Sequence, residues 1–251
     1  MRKAIVGLCV TACLAGAGGL LPGPAAGQVP PETSFVDTTR LHPTDADLMS
    51  LLDPEEFLAF LEIEPGDESF RGKGTDAMFP VEAHVKSSHS EADLTALGSG
   101  VRKKFVFTVY EGVAYAEKGI GLGPDPYDTL IRGDFAKSIH MYFERDVDGG
   151  KIRGAYREGL DKVLGKQERP VTLVQDIEVF LGFFEDAGVK DGQTIDLVWL
   201  PGDGLYTMVN GESFPPVQNP ALASGLWAIW FGNDPVSGDL KRDMLRFVNG
   251  E

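Results

Sequence analysis

The stretch Leu97–Glu117, LGSGVRKKFVFTVYEGVAYAE, constrains the chain more than any other. Gly98-Ser99-Gly100 reads as a turn, Phe105 to Val109 as a β-type run, and Glu111-Gly112 as a break. The whole reads as one long strand or a bent pair. Arg102 and Tyr110 share parity, so on a regular strand they face the same side. Eight steps of about 3.3 Å would still hold them about 26 Å apart. They meet only if the chain reverses or bends sharply, with Lys103-Lys104 the expected place. Tyr115 has the opposite parity and reaches that face only through a bulge, for which Glu111-Gly112 is the natural site.

The flanking segments supply partners for such a strand. Phe79 to Val85 alternates, with Phe79, Val81, Ala83 and Val85 on one side and Glu82 and His84 on the other, which predicts a half-buried strand. Ser138–Phe143 and Thr194–Leu200 read as further strands. Leu205–Val209 pairs back across the turn at Pro201-Gly202-Asp203-Gly204, and Asn210-Gly211 makes a second tight turn. Helical periodicity marks Lys151–Leu164, Val171–Ala187, Pro220–Phe231 and Asp239–Val248, with a short turn at Tyr127–Arg132. Strands, two helices, a strand hairpin and two more helices predict an α+β fold with a large antiparallel sheet covered by a helical layer.

The ends of the chain read differently. Arg2 and Lys3, the uncharged run Ala4–Leu21, the break at Pro22-Gly23-Pro24 and small residues at Ala25-Ala26-Gly27 predict a signal peptide over 1–27. The expected location is periplasmic or secreted, in a bacterial envelope. Val10-Thr11-Ala12-Cys13 offers a lipoprotein alternative through Cys13. Residues 28–75 read as a linker plus an acidic accessory helix at Thr44–Glu62, followed by a polar loop, and 76–251 as the main domain. Cys9 and Cys13 are the two cysteines, so a chain cleaved after Gly27 has no disulfide or thiolate.

Charge limits the partners. The chain holds 23 basic and 38 acidic residues, and removing Arg2 and Lys3 with the signal leaves a formal −17. Such a chain repels nucleic acid and anionic surfaces in general. No stable membrane insertion is expected after signal cleavage. An anionic ligand therefore needs a local basic site, and Arg102-Lys103-Lys104 is one.

Common catalytic signatures are missing from the sequence. There is no Gly-x-Ser-x-Gly elbow and no P-loop, and Gly119-Ile120-Gly121-Leu122-Gly123 lacks the strand-turn-helix setting of a dinucleotide site. Asp146-Val147-Asp148-Gly149-Gly150 is half a calcium loop without the later ligands. No metal and no cofactor are expected. Phe183, Phe184, Trp199, Trp227 and Trp230 fit ordinary core better than a ligand cavity, and Asp203 reads as turn chemistry. Arg102 stands out because a guanidinium beside an apolar strand is costly unless paired or used.

Gly98-Ser99-Gly100-Val101-Arg102, Val109–Tyr115, Ser138–Leu164 and the C-terminal ALASGLWAIWFGNDPVSGDLKRDML together resemble the chalcone isomerase-like family. The resemblance spans Phe79–Val248 and points to exported bacterial members. It implies an open-faced β-sandwich, a large antiparallel sheet with a helical layer and a ligand cleft between them. The family's arginine falls on Arg102. The catalytic branch's threonine falls near Tyr110, where a tyrosine matches the fatty-acid-binding branch instead. The catalytic tyrosine falls near Asp148, its lysine on Lys151, and its asparagine near Ala155 or Tyr156. An Asp at the tyrosine position would repel an oxyanion.

The expectation is a non-catalytic protein binding a hydrophobic carboxylate such as a fatty acid. Arg102 is its charge partner, Tyr110 its hydrogen-bond donor, and Tyr115 and Lys151 are secondary contacts. The alternatives are a chalcone isomerase-type intramolecular lyase using Arg102 and Lys151, and an envelope interaction protein using Asp45–Glu62.

Overall fold

The computed structural model describes residues 61–165, 167–185 and 188–250. The expected signal peptide and most of the acidic helix lie outside them. Eight strands form one antiparallel sheet: β1 (Leu61–Pro65), β4 (Glu82–Ser87), β5 (Glu91–Lys104), β6 (Phe107–Glu117), β7 (Lys137–Phe143), β8 (Thr194–Leu200), β9 (Gly204–Val209) and β10 (Glu212–Val217), in that spatial order. β2 (Ser69–Arg71) and β3 (Met78–Pro80) form a separate two-stranded sheet. The helices are α1 (Pro126–Arg132), α2 (Gly149–Leu164), α3 (Val171–Gly182), α4 (Pro220–Phe231) and α5 (Gly238–Asp243).

The helices cover one sheet face. Ala114, Ala116, Ile139, Met141, Phe143, Leu197 and Leu205 meet Ile152, Leu160, Phe180, Leu226 and Trp230 there. The opposite face carries Val85, Leu94, Val113, Tyr115, Val198 and Tyr206, packed with Leu61 of β1 and Phe79 of β3. With both faces covered, β8 and β9 read as nearly continuous apolar runs instead of alternating ones. α4 is buried almost throughout from Leu222 to Phe231. Its start is fixed locally: Asn219 accepts from the Ala221 and Leu222 amides, and Pro220 follows.

Three expectations about the central stretch are corrected by packing. Gly98-Ser99-Gly100 is not a turn but the middle of β5, a 14-residue strand. A Cβ on Gly100 would stand 2.8 Å from the Asp243 Cβ and 3.0 Å from the Leu240 carbonyl oxygen, so the glycines admit α5 against the strand. The reversal comes at Phe105-Val106, where Phe105 has φ 57°, and not at Lys103-Lys104. Glu111-Gly112 is no break either, because both residues keep regular pairing with β5 and β7.

Other boundaries shift too. Leu61 and Glu62 belong to strand β1, because they pair with Ser87 and Lys86 of β4, and not to the end of a helix. The polar loop expected at 64–75 contains β2. Phe79–Val85 is interrupted at Val81, whose amide bonds to Glu68, so it becomes β3 and β4 in different sheets. α3 stops at Gly182, short of Ala187, which lies outside the described residues. α5 ends at Asp243, short of Val248.

Candidate ligand-binding site

Two bulges set the geometry around Arg102. The first inserts Leu97 between the Ala96–Tyr115 and Gly98–Ala114 pairs. Leu97 then buries with the helix-side core, whereas Ala96 belongs to the other face. Past this point Gly98, Gly100 and Arg102 face the helices, since every second residue shares a face. The second bulge leaves Val109 unpaired between Lys103–Thr108 and Arg102–Tyr110. Arg102 and Tyr110 are therefore direct cross-strand partners on the helix-covered face, with Cα atoms about 5 Å apart instead of about 26 Å.

Arg102 is half-buried, and no carboxylate among the described residues pairs with it. Its Nη1 donates to the Lys103 carbonyl oxygen at 2.6 Å. Tyr110 packs on Phe143, with ring centroids 5.5 Å apart, and its hydroxyl accepts from Trp230 Nε1 at 2.9 Å. Among the described residues no acceptor takes the Tyr110 proton. Burial pushes the phenol pKa up to about 12, against the opposing pull of the Trp230 hydrogen bond and the Arg102 charge. Tyr110 is thus a neutral donor throughout the physiological range.

Behind Tyr110 lies an aromatic bed. Tyr156 of α2 contacts Trp230 at 6.2 Å, Phe180 at 5.1 Å and Phe184 at 5.2 Å, with its hydroxyl toward the Met141 Sδ. Burial and the nearby Tyr110 push the Tyr156 phenol well up. Phe184, Trp199, Trp227 and Trp230 are all buried core, and Phe183 stacks on Phe214 at 4.7 Å. Position 156, one of the two near which the resemblance places an asparagine, is thus occupied by a buried phenol.

The other two candidates sit elsewhere. Tyr115 lies on the far sheet face, because Gly112 to Ala116 continues without a bulge and keeps its opposite parity. Its hydroxyl donates to the Pro80 carbonyl at 3.0 Å, and burial raises its pKa. Lys151 stands at the start of α2 and pairs with Asp148 at 2.7 Å, both side chains about three-quarters exposed. The lysine's hydrogen bond holds the Asp148 carboxyl below its usual range. Neither residue joins Arg102 and Tyr110.

Sequence reasoning missed three polar clusters on the far side. Glu111, fully buried, accepts from the Lys73 and Gly74 amides and from Thr75 Oγ1, pinning the 72–75 loop to β6. His140 Nδ1 lies 2.6 Å from Asp196 Oδ1, its cross-strand partner. Asp203 is more than a turn residue: it is buried and takes bonds from Ser87 and Tyr206. A charged residue inside an apolar strand, as in Thr194–Leu200, was the available signal for Asp196.

A separate groove of about 710 Å³ opens between α1, α2 and α4, with Tyr127, Ile131, Leu164 and Phe231 among its walls. Two of its cations are already engaged, Arg132 with Asp128 and Lys162 with Asp234. The third, Lys241, donates to the Gly232 carbonyl and covers the Tyr127 ring.

The comparisons with known proteins agree with this architecture. The sequence profile described as chalcone isomerase-like matches residues 77–246. The chain belongs to the chalcone isomerase-like family. Among solved structures it is similar to a fatty-acid binding protein of Arabidopsis thaliana, with a TM-score of 0.56 and 21% identity. The match covers 71% of this chain and 96% of that one, and at this identity it establishes the shared fold. No curated protein sequence matches. The α+β open-faced sandwich of this family is thus the fold of residues 77–246.

Proposed function

We propose that this chalcone isomerase-like protein binds a hydrophobic carboxylate, such as a fatty acid. The Arg102 guanidinium takes the head group, the Tyr110 hydroxyl donates the second bond, and the tail lies along the aromatic bed between sheet and helices. The observation that carries this reading is the Arg102–Tyr110 cross-strand pair, which combines a cation free of any described carboxylate with a neutral phenol whose proton meets no acceptor among the described residues. That combination suits a carboxylate, because a charge-assisted bond is roughly twice as strong as a neutral one and the phenol adds a second donor. The described structure is packed around Tyr156 and Trp230, so a tail enters by displacing these side chains. The fatty-acid binding named for the Arabidopsis neighbour supports the choice of ligand. Export by the apolar N-terminal segment remains part of the proposal.

No observation favours the lyase alternative. Lys151 is tied to Asp148 at the helix start, Asp148 stands near the aligned tyrosine position, Tyr110 near the aligned threonine, and Ala155 or Tyr156 near the aligned asparagine. The interaction surface suggested for Asp45–Glu62 lies outside the described residues up to position 60.

The test is titration of the purified protein with oleate, followed by tryptophan emission and native mass spectrometry. Arg102→Ala should weaken binding about 30-fold, the equivalent of about 2 kcal/mol for a charged hydrogen bond. Tyr110→Phe should weaken it about fivefold. Unchanged oleate affinity in Arg102→Ala would reject the site.

A further inference from the structure

The β5–β6 hairpin ends in three consecutive apolar side chains, Phe105, Val106 and Phe107, that stay largely exposed among the described residues. Phe105 is 90% exposed, Val106 84% and Phe107 61%. Two-residue hairpin turns with positive φ ordinarily take glycine, asparagine or aspartate. Here a bulky phenylalanine holds φ 57°, in a conformation its side chain disfavours. An aromatic kept at an unfavourable backbone position, with no burial against the described residues in return, points to a contact outside them.

The surroundings of the tip specify that contact. Lys103 and Lys104 are exposed immediately before it, Arg102 is next along β5, and the Arg145 guanidinium lies 5.6 Å from the Phe107 ring centroid. Four cations gathered around three apolar residues are unusual on a chain of net charge −15. We propose that this tip docks on an anionic lipid bilayer. Phe105, Val106 and Phe107 enter the boundary between headgroups and acyl chains, while Lys103, Lys104 and Arg145 contact the headgroups. The remaining acidic surface does not cancel this attraction. At physiological ionic strength the screening length is about 8 Å, so groups at the tip dominate and the rest of the molecule is held away from the surface. The contact is peripheral and compatible with a chain that does not insert. It stands on the tip alone, independently of the ligand reading, although it would bring Arg102 and Tyr110 to the lipid surface.

The experiment is co-sedimentation of the full chain with vesicles of phosphatidylcholine alone, or of phosphatidylcholine and phosphatidylglycerol in equal parts. Binding should be about tenfold stronger to the anionic vesicles and should weaken as salt is added. Phe105→Asn with Val106→Ser, and separately Lys103→Glu with Lys104→Glu, should each reduce it about tenfold. Phe105→Asn should leave the melting temperature unchanged or raise it, which separates a docking residue from a structural one. A Val106→Trp reporter should be quenched by brominated lipid. An unquenched reporter, or vesicle binding unaffected by the tip variants, would assign attachment to another segment and overturn the proposal. So would absence of vesicle binding, or tip-dependent dimerisation by light scattering without lipid.

Discussion

Lys137 offers a quantitative test of the packing between α1 and the sheet. It is 2% exposed on β7. Its Nζ donates to the carbonyl oxygens of Leu130 at 2.7 Å and Gly133 at 2.8 Å, at the end of α1. The Phe135 and Trp227 rings lie 5.4 and 5.2 Å away. The carbonyl end of a helix attracts a cation, but burial dominates. It lowers the lysine pKa from 10.5 to about 8, against the smaller opposing effect of Asp134. Below about pH 8 both folded and unfolded chains carry the proton, and the folded state bears the full cost of the buried charge. Between about 8 and 10.5 the folded lysine is neutral while the unfolded one remains charged, so stability rises with pH. At about 1.36 kcal/mol per pH unit this rise amounts to about 3 kcal/mol. Urea denaturation followed by circular dichroism, for the parent and Lys137→Met, isolates the effect. The parent's stability relative to the variant should climb across that pH range. A flat or falling difference would show that the ammonium is adequately solvated by its two carbonyls and rings, and that burial does not control it.

Further expectations follow from the far face and the glycine contacts. Glu111→Ala strips the carboxylate from the Lys73 and Gly74 amides and Thr75 Oγ1. It should cost about 3 kcal/mol and speed amide exchange in the 72–75 loop. For His140, burial is the largest influence and lowers the pKa, but the charge and hydrogen bond of Asp196 together outweigh it, so the net shift is upward. The stability this pair confers is fully present below the unfolded histidine's pKa of about 6.5 and lost as pH rises through the higher folded value. Melting curves across this range should show the loss in the parent and not in His140→Gln. Gly100→Ala drives a methyl against α5 and should cost about 1–3 kcal/mol, read as a lower melting temperature.

The sequence by itself determined the fold class and the type of the strongly periodic elements. Period-two and period-3.6 apolar patterns are set by local geometry, and they located β7, β8, β9, α2 and α4 to within a few residues. It also singled out Arg102 and Tyr110, because a cation and a phenol are conspicuous in a β-run. Their meeting was decided by tertiary structure. Strand pairing placed the reversal at Phe105-Val106 and unpaired Leu97 and Val109, and a one-residue bulge sends every later side chain to the other face. The same pairing carried Tyr115 to the far side, while Lys151 stands apart in an ion pair with Asp148 at the start of α2. Glycines that looked like a turn proved to be the space into which α5 packs, a contact between β5 and a segment about 140 residues later. Periodicity records which face of an element is apolar. Which elements those faces meet, and in what register, depends on contacts between residues far apart in the chain.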